Sequence, residues 1–428
     1  MKFPTKTNLS QRGSVLVVTL CIAFIFGYVL YYYLSLASSQ KTLVKRSEAW
    51  NGALGQAEAG VEEALAQLNP GAPQPVLDLT INGWGTPSGG LYGPMSRSLT
   101  NGSYSVAFTT DPLPTIYSTG YVTVPALSAK LTRTLKVTTQ TFPLFAAAMA
   151  VLTTINLNGS GIVTDSFDST NPNLSTNGRY DPLKTSTNGT IASLQGVVQI
   201  GNATINGSVY LGPTASTTIQ NGTVTGGISN DWNASFEDVI LPAGAPLPAV
   251  PASTPVTLDG VSYQYVFGYP VPTSGYYQIA GLNNQNIYVG TNSHITLLLN
   301  GGNANPGALR VAGMGTNAGQ LTIYMDGPSF SINSSSTVDG GLAGSLAYYG
   351  TTNNTSISMG GNGTYTGTIY APEAAIHMGG GGSGAYNFVG AIVALSVSMS
   401  GHFNFHYDEA LGLHGPVGGF VAKSWTEL

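Results

Sequence analysis

The sequence predicts a mainly β protein with one long N-terminal α-helix: a transmembrane stem helix, a small antiparallel sheet, then a β-solenoid (β-helix-like) head. Three observations predict it. An uncharged, proline-free run from Ser14 to about Ala37 leads into apolar residues recurring every three or four positions as far as Leu68. Residues 101–140 alternate apolar and polar side chains. From Phe145 onward, short alternating runs are punctuated by Asn-Gly, Gly-Gly and Ser-Gly. The expected boundaries are 1–13 for a basic leader, 14–69 for the stem, 70–141 for the small sheet, 142–241 for a first solenoid segment, 242–255 for a Pro/Ala-rich linker and 256–428 for a C-terminal solenoid domain.

As a helix rising ~1.5 Å per residue, the run from Ser14 spans the roughly 30 Å hydrocarbon layer, so a single membrane crossing is expected. A secretory signal peptide is the competing reading, with Lys2, Lys6 and Arg12 as its basic end and Ser35-Leu36-Ala37 as its cleavage site. Its apolar core would be about 7 to 15 residues, shorter than this run. Lys41, Lys45 and Arg46 blur the positive-inside rule, while the short basic leader favours a cytoplasmic start. Past the membrane, Leu43, Trp50, Leu54, Ala57, Val61, Ala64 and Leu68 form one stripe, and Asn69-Pro70-Gly71 stops the helix. Gly52, Gly55 and Gly60 each cost about 1 kcal/mol relative to alanine. Packing must therefore hold this helix, against its own sheet or against identical neighbours.

Gln11-Arg12-Gly13, the following Ser14-Val15-Leu16-Val17-Val18, and Ala57-Glu58-Ala59-Gly60-Val61-Glu62-Glu63-Ala64-Leu65 resemble the stem of PilX-type minor pilins, which are type IV pilus assembly proteins, and of related K-type pseudopilins. The resemblance covers about residues 8–68. It implies that a prepilin peptidase cuts after Gly13, that Ser14 becomes a methylated amino terminus, and that the N-terminal helix packs on other pilins or pseudopilins. Most major pilins carry a glutamate five residues into the mature chain, where Val18 stands here. That acid neutralises a neighbour's terminal amine inside an apolar filament core, where an unpaired charge is costly. PilX-type and K-type stems often lack it too, so Val18 fits a tip or priming subunit better than a repeating one.

Tyr104, Val106 and Phe108, then Ile116, Val122 and Val124, then Leu131, Leu135 and Val137 mark three antiparallel strands, with turns near Asp111-Pro112 and Pro125. Pilin-like proteins place such a sheet against the second half of the stem. Beyond Phe145, runs such as Ile155-Asn156-Leu157 and Thr204-Ile205-Asn206 are too short for independent hairpins and suit stacked rungs, with a β-sandwich as the alternative. A weak repeat supports stacking: Ile357-Ser358-Met359, Ile376-His377-Met378 and Val397-Ser398-Met399, preceded by Gly344-Ser345-Leu346-Ala347, Gly367-Thr368-Ile369-Tyr370-Ala371 and Gly390-Ala391-Ile392-Val393-Ala394. Residues two apart share a strand face, so the Ile/Val and Met positions form an interior ladder, with the methionines as core and not metal ligands. Residues 367–411, with Tyr370-Ala371-Pro372 and the run 405–411, also resemble an uncharacterised C-terminal domain found behind PilX-type stems, and Trp425-Thr426-Glu427 fits that pattern. This resemblance brings no enzymatic activity.

Only 8% of residues are charged, against 56 glycines and a net charge of -5, so the exterior is neutral and rich in hydroxyl and amide groups. Such a surface does not suggest nucleic-acid binding. The one cysteine, Cys21, lies in the membrane run, which excludes intrachain disulfides and a cysteine-based zinc site. Asp165 and Asp168 are the candidates for a carboxylate pair or a calcium site. Three apart on an extended strand they face opposite sides, and Asp and Ser are ordinary turn formers. His402, His406, Asp408 and Glu409 form the densest polar cluster. His406, Tyr407, Asp408 and Glu409 are read as a hydrogen-bonded C-terminal cap on the last rung in preference to a metal or acid/base site. His294 and His414 have no evident partners. No catalytic residue, metal or cofactor is assigned.

The expected role is structural: a minor pilin or pseudopilin-like protein for type IV pilus or type II secretion assembly, single-pass in the bacterial inner membrane with its head in the periplasm, and incorporated into a pilus. The alternative is a membrane-tethered adhesin or glycan-binding solenoid whose head contacts a surface or glycan ligand. A polysaccharide-cleaving enzyme using Asp165 or Asp168 ranks third.

Overall fold

A computed structural model describes residues 12–69, 84–124, 129–241, 248–250, 255–332, 337–360, 364–380 and 386–428. Residues 1–11 of the expected leader and most of the expected linker lie outside the described residues. The chain divides into two compact units, one of residues 1–67, 78–140 and 422–428 and the other of 68–77 and 141–421.

In the first unit, helix α1 (Arg12–Leu68) is followed by β1 (Leu91–Leu99), β2 (Gly102–Thr109), β3 (Thr115–Val124) and β4 (Ala129–Pro143). These strands pair in sequence order, and the strand Val417–Glu427 adds beyond β4. The three alternating runs are β2, β3 and β4, in antiparallel register with Phe108 opposite Ile116 and Ile116 opposite Val137. Tyr104, Val106, Phe108, Ile116, Leu135 and Val137 are buried, as period-2 alternation requires.

The stem's buried stripe follows the predicted one at Ala57, Val61, Ala64 and Leu68, all fully buried, and departs from it nearer the membrane, where Ala49 and Ala53 take the places expected for Trp50 and Leu54. Ala49, Ala53, Ala57, Val61 and Ala64 are at most 5% exposed, whereas Leu43 and Trp50 face outward and Trp50 lies under the Arg133 guanidinium at 4.9 Å. The reason is the closeness of helix and sheet. A Cβ on Gly120 would stand 2.0 Å from the Ala53 carbonyl oxygen, and one on Gly60 would stand 2.2 Å from Ser118 Oγ. Bulky residues cannot enter that seam, so the sequence supplies alanine and glycine there. Gly60 is thereby explained, whereas Gly55 meets nothing within 4 Å. Glu63, on the same stretch of helix, is bonded by Arg97 and by the Tyr104 hydroxyl.

The second unit is built from mostly short strands in three ladders, and among the described residues their pairings are parallel. An antiparallel sandwich does not produce this pattern. Its inward columns are continuous. One runs Tyr265, Ile287, Leu309, Val338, Tyr365, Phe388, Phe405, Thr164, Ile205, Val224. Another runs Leu282, Ala304, Phe330, Ile357, Ile376, Val397, Ile155, Val198. Met359, Met378 and Met399 stack beside it and lead to Leu157 and Ile200, all at most 4% exposed. The methionine repeat is thus an interior ladder. In the preceding Gly-containing runs, Ile369 and Ile392 align, but Tyr348 and not Leu346 stands beside Ile369, because the first copy is displaced by two residues.

Stacking order and chain order differ. The strands from Tyr265 to Asp408 stack in sequence, and the last of them, Phe403–Asp408, then lies against Val163–Phe167, part of the unit's first rung. From there the chain climbs through Ile191–Ser193 and Val209–Leu211 to Ile228–Ser229. It returns along the outside of one ladder: Trp232 N–H donates to the Leu211 carbonyl, Tyr370 Oη donates to the Glu237 carbonyl at 2.7 Å, and Gln278 N–H donates to the Pro248 carbonyl. The return meets Tyr370, which ends an outward tyrosine column with Tyr324 and Tyr349, each at most 6% exposed.

Candidate functional site

Two features carry the chemistry. The first is the bare half of α1. From Val15 to Leu36 no large apolar side chain is less than 46% exposed, and an 18-residue window has mean hydropathy 2.3 with none of it buried. Such a surface is stable only when something apolar covers it. One long apolar N-terminal helix is consistent with a single-pass membrane anchor. Gly13 and Ser14 fall on its first turn. Val18 and Cys21 lie on the exposed stretch, so no carboxylate stands at Val18.

The second feature is the polar cluster on strand Phe403–Asp408. Alternation turns Phe405 and Tyr407 inward and His406 outward, directly beside Asp165 of Val163–Phe167. His406 Nδ1 lies 2.5 Å from Asp165 Oδ1, across a sequence separation of 241 residues. The excursion 168–188 folds over the pair. The Tyr180 ring stacks on the imidazole with centroids 3.6 Å apart, and its hydroxyl donates to Asp165 Oδ2 at 3.0 Å. Burial, and then the Asp165 charge, raise the Tyr180 pKa above its ordinary value, which keeps that hydroxyl a donor. Ser166 Oγ donates to Glu409 Oε1 at 2.7 Å and accepts from the Asn188 N–H. Asp408 Oδ1 accepts from the Ser169 and Ala410 N–H groups, and burial raises its carboxyl pKa.

This arrangement fastens a loop to a ladder. The imidazole side chain is 4% exposed, with one face under Tyr180. Asp165 and Asp168 do not converge: Asp165 is held by His406 and Tyr180, while Asp168 accepts from Thr170 N–H at 2.8 Å in a local turn. Among the described residues no three His, Cys, Asp or Glu side chains gather around one point. The expected end cap at His406, Tyr407, Asp408 and Glu409 is corrected, because their strand is an interior rung with neighbours on both sides. Sequence position pointed to an end; stacking order places the cluster inside. His402 Nε2 lies 2.7 Å from Ser160 Oγ, apart from this clamp. Tyr180 was missed because an isolated tyrosine in a polar loop carries no periodic signal.

Residues 273–413 match the family described as a domain of unknown function (DUF7305). No curated protein matches the chain. Among solved structures, the chain matches the competence-associated pilin ComZ from Thermus thermophilus with a TM-score of 0.28 and 13% identity, over 89% of this chain and 97% of that one.

Proposed function

We propose that this protein is a minor pilin or pseudopilin-like subunit of PilX type, held in the bacterial inner membrane by α1 and displaying a β-solenoid head in the periplasm or on an extracellular filament. One observation carries the reading: a single continuous helix is packed on its own sheet over 49–64 and bare over 15–36. A helix built this way inserts into lipid before assembly and exchanges lipid for neighbouring helices afterwards. The Gln11-Arg12-Gly13 boundary supplies the cleavage point for a prepilin peptidase, and Val18 fits a priming or tip position. The parallel ladders support the solenoid class, and the buried state of His406 and Asp165 supports a structural head without turnover. Gly13→Leu should abolish leader removal. An unchanged gel mobility and an unchanged mature amino terminus by mass spectrometry would sink the processing step.

A second reading, a tethered adhesin or glycan-binding head, is favoured by one observation. The outward column Ser331, Ser358, His377, Ser398, Asn156 and Gln199 on one ladder carries hydroxyl, amide and imidazole groups and no Lys, Arg, Asp or Glu. Such a face offers hydrogen bonds without selecting for ions.

A further inference from the structure

The head also holds a groove that the clamp does not use. Its floor is the outer face of the strands His294–Asn300, Gln320–Asp326 and Leu346–Gly350, and its wall is the turn that follows Asp408. The groove measures about 570 Å³, within the range of small-molecule sites. It brings together the two histidines that looked unpartnered in the sequence, His294 and His414, with Gln320 directly beside His294 in the ladder and Thr322 two residues further. Among the described residues none of these four side chains has a hydrogen-bond partner, although both strands are fully paired through their backbones.

The lining decides the ligand class. No lysine or arginine contributes to it, so it holds no permanently charged cation for a phosphate or a sulfate. The one carboxylate, Asp408, is already engaged, its Oδ1 accepting the Ser169 and Ala410 N–H groups. What remains is imidazole, amide and hydroxyl groups, each able to donate and accept, beside the carbon surface of Leu411. A sugar ring presents the same mixture: hydroxyls that both donate and accept around its edge, and C–H faces. We propose that this groove binds a short neutral hexose oligosaccharide, with His294, Gln320, Thr322 and His414 bonding its hydroxyls. The proposal deepens the glycan-binding reading and is independent of leader processing, so the failure of one leaves the other standing.

The test uses the full chain in a zwitterionic detergent without a sugar headgroup. Maltotriose, cellotriose and triacetylchitotriose are titrated separately by calorimetry, with inorganic phosphate as the anionic comparison. At least one trisaccharide should bind, and phosphate should not. The double variant His294→Ala/His414→Ala and the single variant Gln320→Ala should weaken that binding by about tenfold or more while leaving the thermal midpoint unchanged, since both histidines are exposed. His402→Ala, outside the groove, should bind as the parent does. Failure of all three trisaccharides to bind overturns the proposal, as does sugar binding that survives the double histidine change or phosphate binding of equal strength.

Discussion

Phe388 is where the stacked unit is most open to a quantitative test. Its ring is 1% exposed and lies nearly parallel between Tyr365, at 4.8 Å and 10°, and Phe405, at 4.6 Å and 11°. Phe388→Ala removes a whole buried ring and leaves a cavity that two flat neighbours cannot close from opposite sides. Large-to-small changes of this kind cost about 3–5 kcal/mol. For a unit of this size 1 kcal/mol moves the melting temperature by about 2 °C, so a fall of roughly 6–10 °C is expected. Phe388→Leu keeps most of the buried apolar volume and loses the stacking, which is worth about 0.5–1.5 kcal/mol per aromatic pair. The assay is thermal unfolding of both variants together with amide hydrogen exchange. Because Phe388 belongs to the rungs joining the later half of the chain to the first rung, exchange should accelerate both at Thr364–Gly379 and at Met149–Val151 and Ile191–Ser193. If Ile191–Ser193 keeps full protection while Thr364–Gly379 loses it, or if Phe388→Ala melts within 2 °C of the parent, the continuous stack is refuted.

Three further expectations concern the rest of the molecule. Gly120→Ala should destabilise the first unit by about 1–3 kcal/mol through overpacking against the Ala53 carbonyl, whereas Gly55→Ala, in open space, should stabilise the helix by up to about 1 kcal/mol; thermal melts that rank them the other way contradict the close seam. Burial alone would raise the Glu63 pKa, but hydrogen bonds from Arg97 and Tyr104 outweigh it and hold the carboxyl below its ordinary range, so its stabilisation is present above that range and is lost as pH falls through the depressed folded value. Tyr104, pushed up to about 12 by burial and by Glu63, stabilises below its ordinary pKa and loses that contribution as pH climbs towards 12; denaturation at a series of pH values should show the acid loss in the parent and not in Glu63→Gln. Asp165→Asn should cost about 1.5–3 kcal/mol and make 168–188 the first site of proteolytic nicking, and a digestion pattern identical to the parent's would count against the clamp.

Much of this architecture could be read from residue order, and the failures have identifiable causes. The strands at Tyr104, Ile116 and Leu135 and the Ile/Met ladder were legible because period-2 alternation is a local signal. β1 was not, since Tyr92-Gly93-Pro94 interrupts its alternation with a bulge, and the strand Val417–Glu427 pairs with a segment far away in sequence. The stem stripe was legible from Ala57 to Leu68 and misread only at its upper part, where hydrophobicity favours Trp50 over Ala49 while the seam admits only what fits. Of the site residues, Asp165 was nominated beside Asp168 as a carboxylate pair and His406 within the densest polar cluster. Their pairing, the lid of Tyr180 and the meeting of His294 with His414 depend on which rungs become neighbours, and short strands do not encode that.

The difference between chain order and stacking order sets a timetable for the nascent protein. The rung that begins at Met149 is made early, yet one whole edge of it is matched only by strands after Tyr386, close to the carboxyl end. Until those residues emerge, the first rung pairs with the rung at 191–205 on one side and keeps its other edge open, the condition in which parallel strands recruit the wrong partner. Each half can stack its own rungs as it is made, but the join between the halves waits for the last strands. The contacts that close the stack into one unit are thus among the last to become available.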